Sequence, residues 1–333
     1  MSKVRVAMLG TGGIAGKHIR SFNARQDVEV VGGCDVSVDA VKAFWGRTLP
    51  AGAPQPPAFT DAATMYTQTK PDAVVICTPH TQHYAQAVQA LDHGLHVLME
   101  KPMVTESAQA HDLAARVEKS GKVLTIGYNT PCSPELAYLR DLIRSKDLGK
   151  LELISGYLSQ GWLKGTMGKW RQDPKLSGGG QAYDSGAHPL STIIWSVETD
   201  IAEVFAFVDN VGSPVDINSS INIRFTSGVF ASMVISGNCP VDGSFMVFIF
   251  DNGKVEIDPW GASWIKVWKG RELVKYPPIT GPSVQPADNF IDAVLGKAQP
   301  KTSPRHGIIH SELMDAIYES ARTGKPAKPA RKA

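Results

Sequence analysis

The sequence predicts an α/β region on a doubly wound parallel sheet, followed by an α+β region on a large, mainly antiparallel sheet. Three observations carry this expectation. The β-branched run Val4–Leu9 passes directly into Gly10-Thr11-Gly12-Gly13-Ile14-Ala15, as a strand enters a glycine turn and then a helix. Strand and helix patterns then alternate to about residue 127. From Leu151 onward the apolar spacing changes to period two, broken by short Gly- and Asp-containing turns.

In the first region, strands are expected at Val28–Val31, Ala73–Cys77, Leu95–Met99 and Val123–Gly127, with helices near 38–45, 61–68, 84–91 and 105–119. Pro50, Pro54, Pro56 and Pro57 exclude a helix between the second strand and the helix near 61. A helix at 134–146 bridges to the second region. There strands are expected at 151–159, 201–209, 217–225, 229–235, 245–250, 254–257 and 264–268. One helix, opened by Ser177-Gly178-Gly179-Gly180 and ending near Val197, interrupts this series, and helices at 286–295 and 306–323 close it. The expected domains are therefore 1–127 and 128–324, with a basic, disordered tail at 325–333.

The chain has 333 residues, 43% of them apolar and 20% charged, enough for two domains with real cores. A formal net charge of +2 gives no electrostatic reason to expect a nucleic acid or membrane partner. Cys34, Cys77, Cys132 and Cys239 form no C-x-x-C pair, which argues against a disulfide framework or a thiolate metal site. His80 and His83 have no third ligand in local sequence, so no metal is expected. The first strand begins almost at once and no apolar run is long enough to span a bilayer. A cytoplasmic protein is the expectation.

Each glycine of the first turn has a task. Gly10 permits the turn out of the strand, Gly12 lets the backbone approach a pyrophosphate, and small Ala15 lets the helix pack against the sheet. The helix N-terminus, with Gly13 and Ile14, then faces the phosphates, the arrangement of a Rossmann dinucleotide site. Asp35 ends the second strand, where a carboxylate accepts from ribose hydroxyls and repels a 2′-phosphate. NAD is expected in preference to NADP. The plainer role for Asp35 is a cap for the following helix, which Ser37 can also provide. Polar groups past the carboxyl ends of the strands, Thr78, His83, Glu100, Lys101, Tyr128 and Asn129, converge on the edge where such sheets bind ligands.

In the second region, Asp184 and His188 are spaced i, i+4, on one face of a helix. Such an Asp can orient the imidazole and leave its other nitrogen as a general base, or the pair can be a structural helix bond. Lys101, at the crevice edge, can stabilise an alkoxide or simply pair with Glu100. Trp162 and Trp170 precede the glycine-rich segment, placed either to stack on a sugar face or to anchor the core. Arg171 offers a cation there, or is a surface arginine. Trp264, Lys266 and Trp268 alternate on one strand and suggest packing or a subunit contact.

With these motifs together, G-x-G-G-I-A at 10–15, T-P-x-x-x-H at Thr78–His83, E-K-P at 100–102 and G-G-G-x-x-x-D-x-x-x-H at Gly178–His188, the chain resembles the Gfo/Idh/MocA family. The resemblance implies a catalytic trio of Lys101, Asp184 and His188, with Thr78, Pro79 and His83 near the cofactor. It also implies an open-faced second sheet that joins subunits into a homodimer or homotetramer. Members often carry an Arg in a G-[FY]-N-x-R segment, whereas Tyr128-Asn129 is followed here by Thr130-Pro131. The function expected on this basis is an NAD-dependent oxidoreductase acting on a secondary hydroxyl of a sugar, inositol or related polyol. Its substrate contacts would be Lys101, Tyr128, Trp162, Trp170, Arg171, Asp184 and His188. A redox-neutral enzyme with tightly held NAD is the alternative, and a non-catalytic nucleotide sensor a more distant one.

Overall fold

The computed structural model describes residues 3–50 and 52–330. In chain order its elements are β1 (Val4–Leu9), α1 (Ala15–Asn23), β2 (Val28–Cys34), α2 (Val38–Thr48), β3 (Ala58–Phe59), α3 (Ala62–Thr69), β4 (Ala73–Ile76), α4 (His83–Asp92), β5 (His96–Met99), α5 (Ser107–Ser120) and β6 (Leu124–Ile126). There follow α6 (Pro134–Ser145), β7 (Leu151–Ser159), α7 (Trp162–Thr166), α8 (Pro174–Ser177), α9 (Ala187–Val197), β8 (Ile201–Asp209), β9 (Asn218–Phe225) and β10 (Phe230–Ser236). The chain ends with β11 (Gly243–Phe250), β12 (Gly253–Ile257), β13 (Ile265–Lys269), β14 (Glu272–Leu273), α10 (Pro286–Val294) and α11 (Pro304–Thr323).

Two compact units result. The first contains the chain up to Val104, Gln109–Gly127 and Val284–Pro304. Its six strands run in the order β3-β2-β1-β4-β5-β6, all parallel. The order reverses between β1 and β4, which opens the crevice at their carboxyl ends. β1 is central because its residues can be buried on both sides: Val6, Ala7 and Met8 are fully enclosed. Ala15, Ile19 and Phe22 form the inner stripe of α1 and join Val41, Phe44 and Trp45 of α2 in the same core.

The domain boundary expected from sequence needs correction. Residues 284–304 were expected in the second domain and belong to the first unit, while Thr105–Ala108 belong to the second. The cause is non-local packing. Ala287, Phe290 and Ile291 of α10 complete the core beside α1. Arg25, after α1, reaches Asp27, Asp288 and Asp292 at 2.9, 3.7 and 2.7 Å. Thr302 also donates to the Ile126 carbonyl at 2.7 Å and accepts from the Ile126 N–H at 3.0 Å at the edge of β6.

The second unit contains Thr105–Ala108, Tyr128–Ser283 and the chain from Arg305. Its eight strands run β14-β13-β12-β11-β7-β10-β9-β8, antiparallel except for the parallel pair β7–β10. Period-two alternation separates the two faces. Ile154, Leu158, Ile221, Ile223, Met233 and Phe248 turn inward and share a core with residues of α6, α9 and α11. Leu153, Tyr157, Phe207, Phe230 and Val234 point the other way and remain 43–64% exposed.

Two further expectations change. A helix was expected from 177, but residues 178–186 are turns and α9 begins at Ala187. Gly178, at φ +72°, ends the short α8, and Asp216 takes the N–H groups of Gly180 and Ala182 at 2.6 and 2.8 Å, which a helix would have used. The tail was expected to be disordered, yet Ala327 exchanges two 2.8 Å backbone bonds with Val204; residues 331–333 lie outside the described residues. No helix among the described residues is long and apolar enough to cross a membrane.

The Arg25 clamp has a measurable signature. Hydrogen bonding to Arg25 holds the Asp27 carboxyl down at about 2. Its contribution is therefore complete above the ordinary aspartate range near ~4 and lost as pH falls through about 2. Arg25→Ala is expected to cost about 1 kcal/mol at neutral pH, modest because the carboxylates are partly solvated. In thermal melts its Tm deficit should shrink as pH drops from about 4 toward 2; a deficit independent of pH would deny the clamp this role.

Candidate active site

In the first unit the glycine turn lies at the switch point. Gly10, at φ +86°, approaches β4 so closely that a Cβ would stand 2.7 Å from the Cys77 carbonyl carbon. Gly12 and Gly13 are exposed, and a Cβ on either would meet nothing within 4 Å. The N-terminus of α1 carries no side-chain cap at Ile14 and no acidic residue in its first turn. An open, uncapped and uncharged helix start of this kind fits a pyrophosphate.

Asp35 is held at the tip of β2. Its Oδ2 accepts from the Thr11 N–H at 2.7 Å and the Thr11 hydroxyl at 2.6 Å, and its Oδ1 accepts from the Val36 N–H at 2.7 Å. It does not cap α2; Ser37 does, accepting from the Asp39 N–H at 3.2 Å. The carboxylate is thus fixed beside the glycine turn, where an adenosine ribose would lie. Arg47 ties α2 to the same turn by donating to the Thr11 carbonyl at 2.7 Å.

The loops after β4 and β5 are cross-braced. His83 is fully buried, with Nδ1 2.9 Å from the Pro102 carbonyl and Nε2 3.0 Å from the Thr78 carbonyl. Burial pushes its pKa down, against these carbonyls. His83 holds the Thr78-Pro79 and Lys101-Pro102 segments together, with both ring nitrogens turned to backbone. The Thr78 hydroxyl donates to Gln86 at 2.5 Å, and Thr78 and Pro79 are half-buried.

Glu100 is buried as well, and its partner is a histidine of α1. His18 Nε2 lies 2.8 Å from Glu100 Oε1, and Glu100 Oε2 accepts from the Lys101 N–H at 3.3 Å. Burial raises the Glu100 carboxyl, but His18, together with Lys101, more than offsets this and holds it below the ordinary range. Glu100 is therefore a fixed anion linking α1 to the backbone of half-buried Lys101. A polar residue on the inner stripe of α1, between Ala15 and Ile19, was the signal for His18.

In the second unit Asp184 is 5% exposed. Its Oδ2 accepts from Trp162 Nε1 at 2.8 Å and from Arg171 Nε at 2.9 Å. Sequence singled out these three residues separately; the structure brings them together. Trp162 is a core anchor, packed with Val215 and Ile217, and not an exposed stacking surface. Arg171 also lies over the half-buried Trp170 ring, 4.6 Å from its centroid.

His188 sits in the first turn of α9, half-buried. The Trp260 ring lies 4.3 Å from it, and buried Tyr128 meets it edge-on at 6.4 Å. Trp260 was missed by the sequence reading. It rides on a turn organised by Asp258, which accepts from the N–H groups of Trp260, Gly261 and Ser263. Asn129 and Thr130 donate to the Trp260 carbonyl at 3.0 and 3.2 Å. Asn129 and Thr130, just before Pro131, thus brace this turn.

Comparison with known proteins places the chain in a family. Residues 4–128 match the family described as "Oxidoreductase family, NAD-binding Rossmann fold", and residues 136–256 match the "GFO/IDH/MocA C-terminal domain". The chain is 28% identical over 200 residues to the D-glucoside 3-dehydrogenase of Escherichia coli K12, covering 58% of this chain and 54% of that protein. It is 24% identical over 269 residues to the D-xylose 1-dehydrogenase [NADP(+)] of Haloarcula marismortui, covering 76% and 73%. The match thus spans about half the length of the first of these relatives. In fold, the chain superposes on the WlbA dehydrogenase from Chromobactrium violaceum, solved with NADH and UDP-GlcNAcA, with a TM-score of 0.86 at 22% identity, covering 100% of this chain and 98% of that one. GenD2 from gentamicin A biosynthesis, solved with NAD, gives 0.83 at 22% identity, covering 99% and 97%. With both parts of the chain matched, this protein belongs to the GFO_IDH_MocA oxidoreductase family, and its first unit is that family's NAD-binding Rossmann domain.

Proposed function

We propose that this protein oxidises a secondary hydroxyl of a sugar, inositol or related polyol, or reduces the matching ketone, using NAD. The observation that carries the reading is the Asp184 carboxylate, buried and gripped by Trp162 and Arg171, four residues before a histidine at the start of α9. Bound NAD supplies the hydride acceptor. His188 takes the hydroxyl proton on an imidazole nitrogen, and Asp184 favours the charged imidazolium that results. The Lys101 ammonium lowers the energy of oxygen as negative charge develops on it. Glu100, kept ionised by His18, fixes the backbone from which Lys101 extends. Trp260 and Tyr128 flank the imidazole and limit its rotation. Relatives named as glucoside and xylose dehydrogenases support the substrate class.

The exposed apolar row Leu153, Tyr157, Phe207, Phe230 and Val234 supports a second copy of the chain as the partner of the open sheet face.

A screen of polyols and aldoses with NAD and NADP, following absorbance of the reduced nicotinamide, tests the activity. NAD should be preferred, and Asp35→Ser should narrow that preference. Hydrogen exchange into substrate without net NADH would replace the reading with a redox-neutral one. His188→Ala should lower kcat by roughly 100-fold with NAD affinity retained; near-normal kcat would remove His188 from the mechanism. The variant F207E/V234E should sediment as a smaller species than the wild type, and an unchanged mass would exclude the sheet face as the subunit contact.

A further inference from the structure

The segment Val215-Asp216-Ile217, between β8 and β9, takes no part in the chemistry above, yet it supports Asp184 by two routes. The first is through backbone. Asp216 is 4% exposed, and its Oδ1 accepts from the Gly180 N–H at 2.6 Å while its Oδ2 accepts from the Ala182 N–H at 2.8 Å. Its own carbonyl accepts from the Gln181 N–H at 2.8 Å. Three consecutive N–H groups therefore converge on one residue, and the Asp184 N–H bonds back to the Gly180 carbonyl at 2.9 Å. The second route is through packing: Val215 and Ile217 enclose Trp162, whose indole N–H holds Asp184.

This clasp explains the glycines before Asp184. A Cβ on Gly180 would stand 1.9 Å from the Asp216 carbonyl oxygen, and one on Gly179 would stand 2.3 Å from the Tyr318 hydroxyl. Tyr318, on α11, donates to Asp216 Oδ1 at 2.6 Å and stacks on Tyr183. Burial, reinforced by the nearby Asp216 charge, pushes the Tyr318 phenol well up, so it remains a donor.

We propose that Asp216 is a positioning residue for the reaction, setting the turn that places Asp184 and, four residues on at the start of α9, His188. The role rests on the dehydrogenase reading of those two residues. A carboxylate can accept on both oxygens from donors two residues apart. An amide of the same shape would set its NH2 against a buried N–H and open the turn.

Asp216→Asn and Tyr318→Phe test this in the full-length protein. Asp216→Asn should lower kcat by roughly 10- to 100-fold, with the Kd for NAD within about twofold of wild type. Tyr318→Phe, which removes one donor without opposing another, should lower kcat less. NMR titration of His188, its resonance identified with His188→Asn, should show the His188 pKa falling by roughly half a unit or more in Asp216→Asn as its neighbouring anion loosens. Wild-type kcat together with an unmoved titration would overturn the proposal. So would a kcat that falls only in proportion to the folded fraction. Should Asp216→Asn not fold, Tyr318→Phe carries the same two outcomes. Should the wild type turn over no polyol, the dehydrogenase reading fails while the titration still decides whether Asp216 positions His188.

Discussion

A carboxylate removed from water must be hydrogen-bonded by the protein or it will not remain an anion. Among the described residues Glu100, Asp184 and Asp216 are each less than a tenth exposed, and much of the local geometry around each follows from how it is satisfied. Glu100 recruits His18 from α1 and the Lys101 backbone. Asp184 recruits an indole and a guanidinium from separate short helical turns. Asp216 recruits the backbone of a glycine-rich turn and a tyrosine. Each draws together segments distant in sequence, and a buried anion has little latitude in where its donors stand.

The same constraint accounts for the glycine-rich character of Gly178–Gly180. Gly180 serves close approach to Asp216, Gly179 to the hydroxyl of Tyr318, and Gly178, in a left-handed conformation, to the side chain of Thr105. By contrast, Gly12 and Gly13 leave open space where a ligand's phosphates would lie, and only Gly10 of that turn is required by packing. Glycines in similar-looking motifs thus do different work, one set admitting the protein's own groups and the other leaving open space.

What could be read from sequence was what is encoded locally. The strand, glycine turn and helix of residues 4–23, and the change to period-two spacing after Leu151, are short-range patterns and match the observed elements closely. The two-residue strands β3 and β14 were not anticipated, being too short to show any period. Lys101, Asp184, His188, Trp162 and Arg171 were each singled out, but the bonds from Trp162 and Arg171 to Asp184 span 22 and 13 residues and no periodicity connects them. His18, Trp260 and Asp216 were passed over because a buried histidine, a tryptophan in a turn and an aspartate before a strand are all ordinary residues in isolation. Their importance lies in partners supplied by other parts of the chain.

The first unit is assembled from pieces that are not contiguous. Phe290 and Ile291 of α10 complete a core otherwise made by the N-terminal part of the chain, and Thr302 satisfies the edge of β6. During synthesis, the leading segments leave the ribosome with an apolar seam uncovered until residues 284–304 have been made. A fragment truncated after residue 127 inherits that same seam permanently, so this cofactor fold depends on a distant stretch of chain and is not a module that can be cut out at its most obvious border.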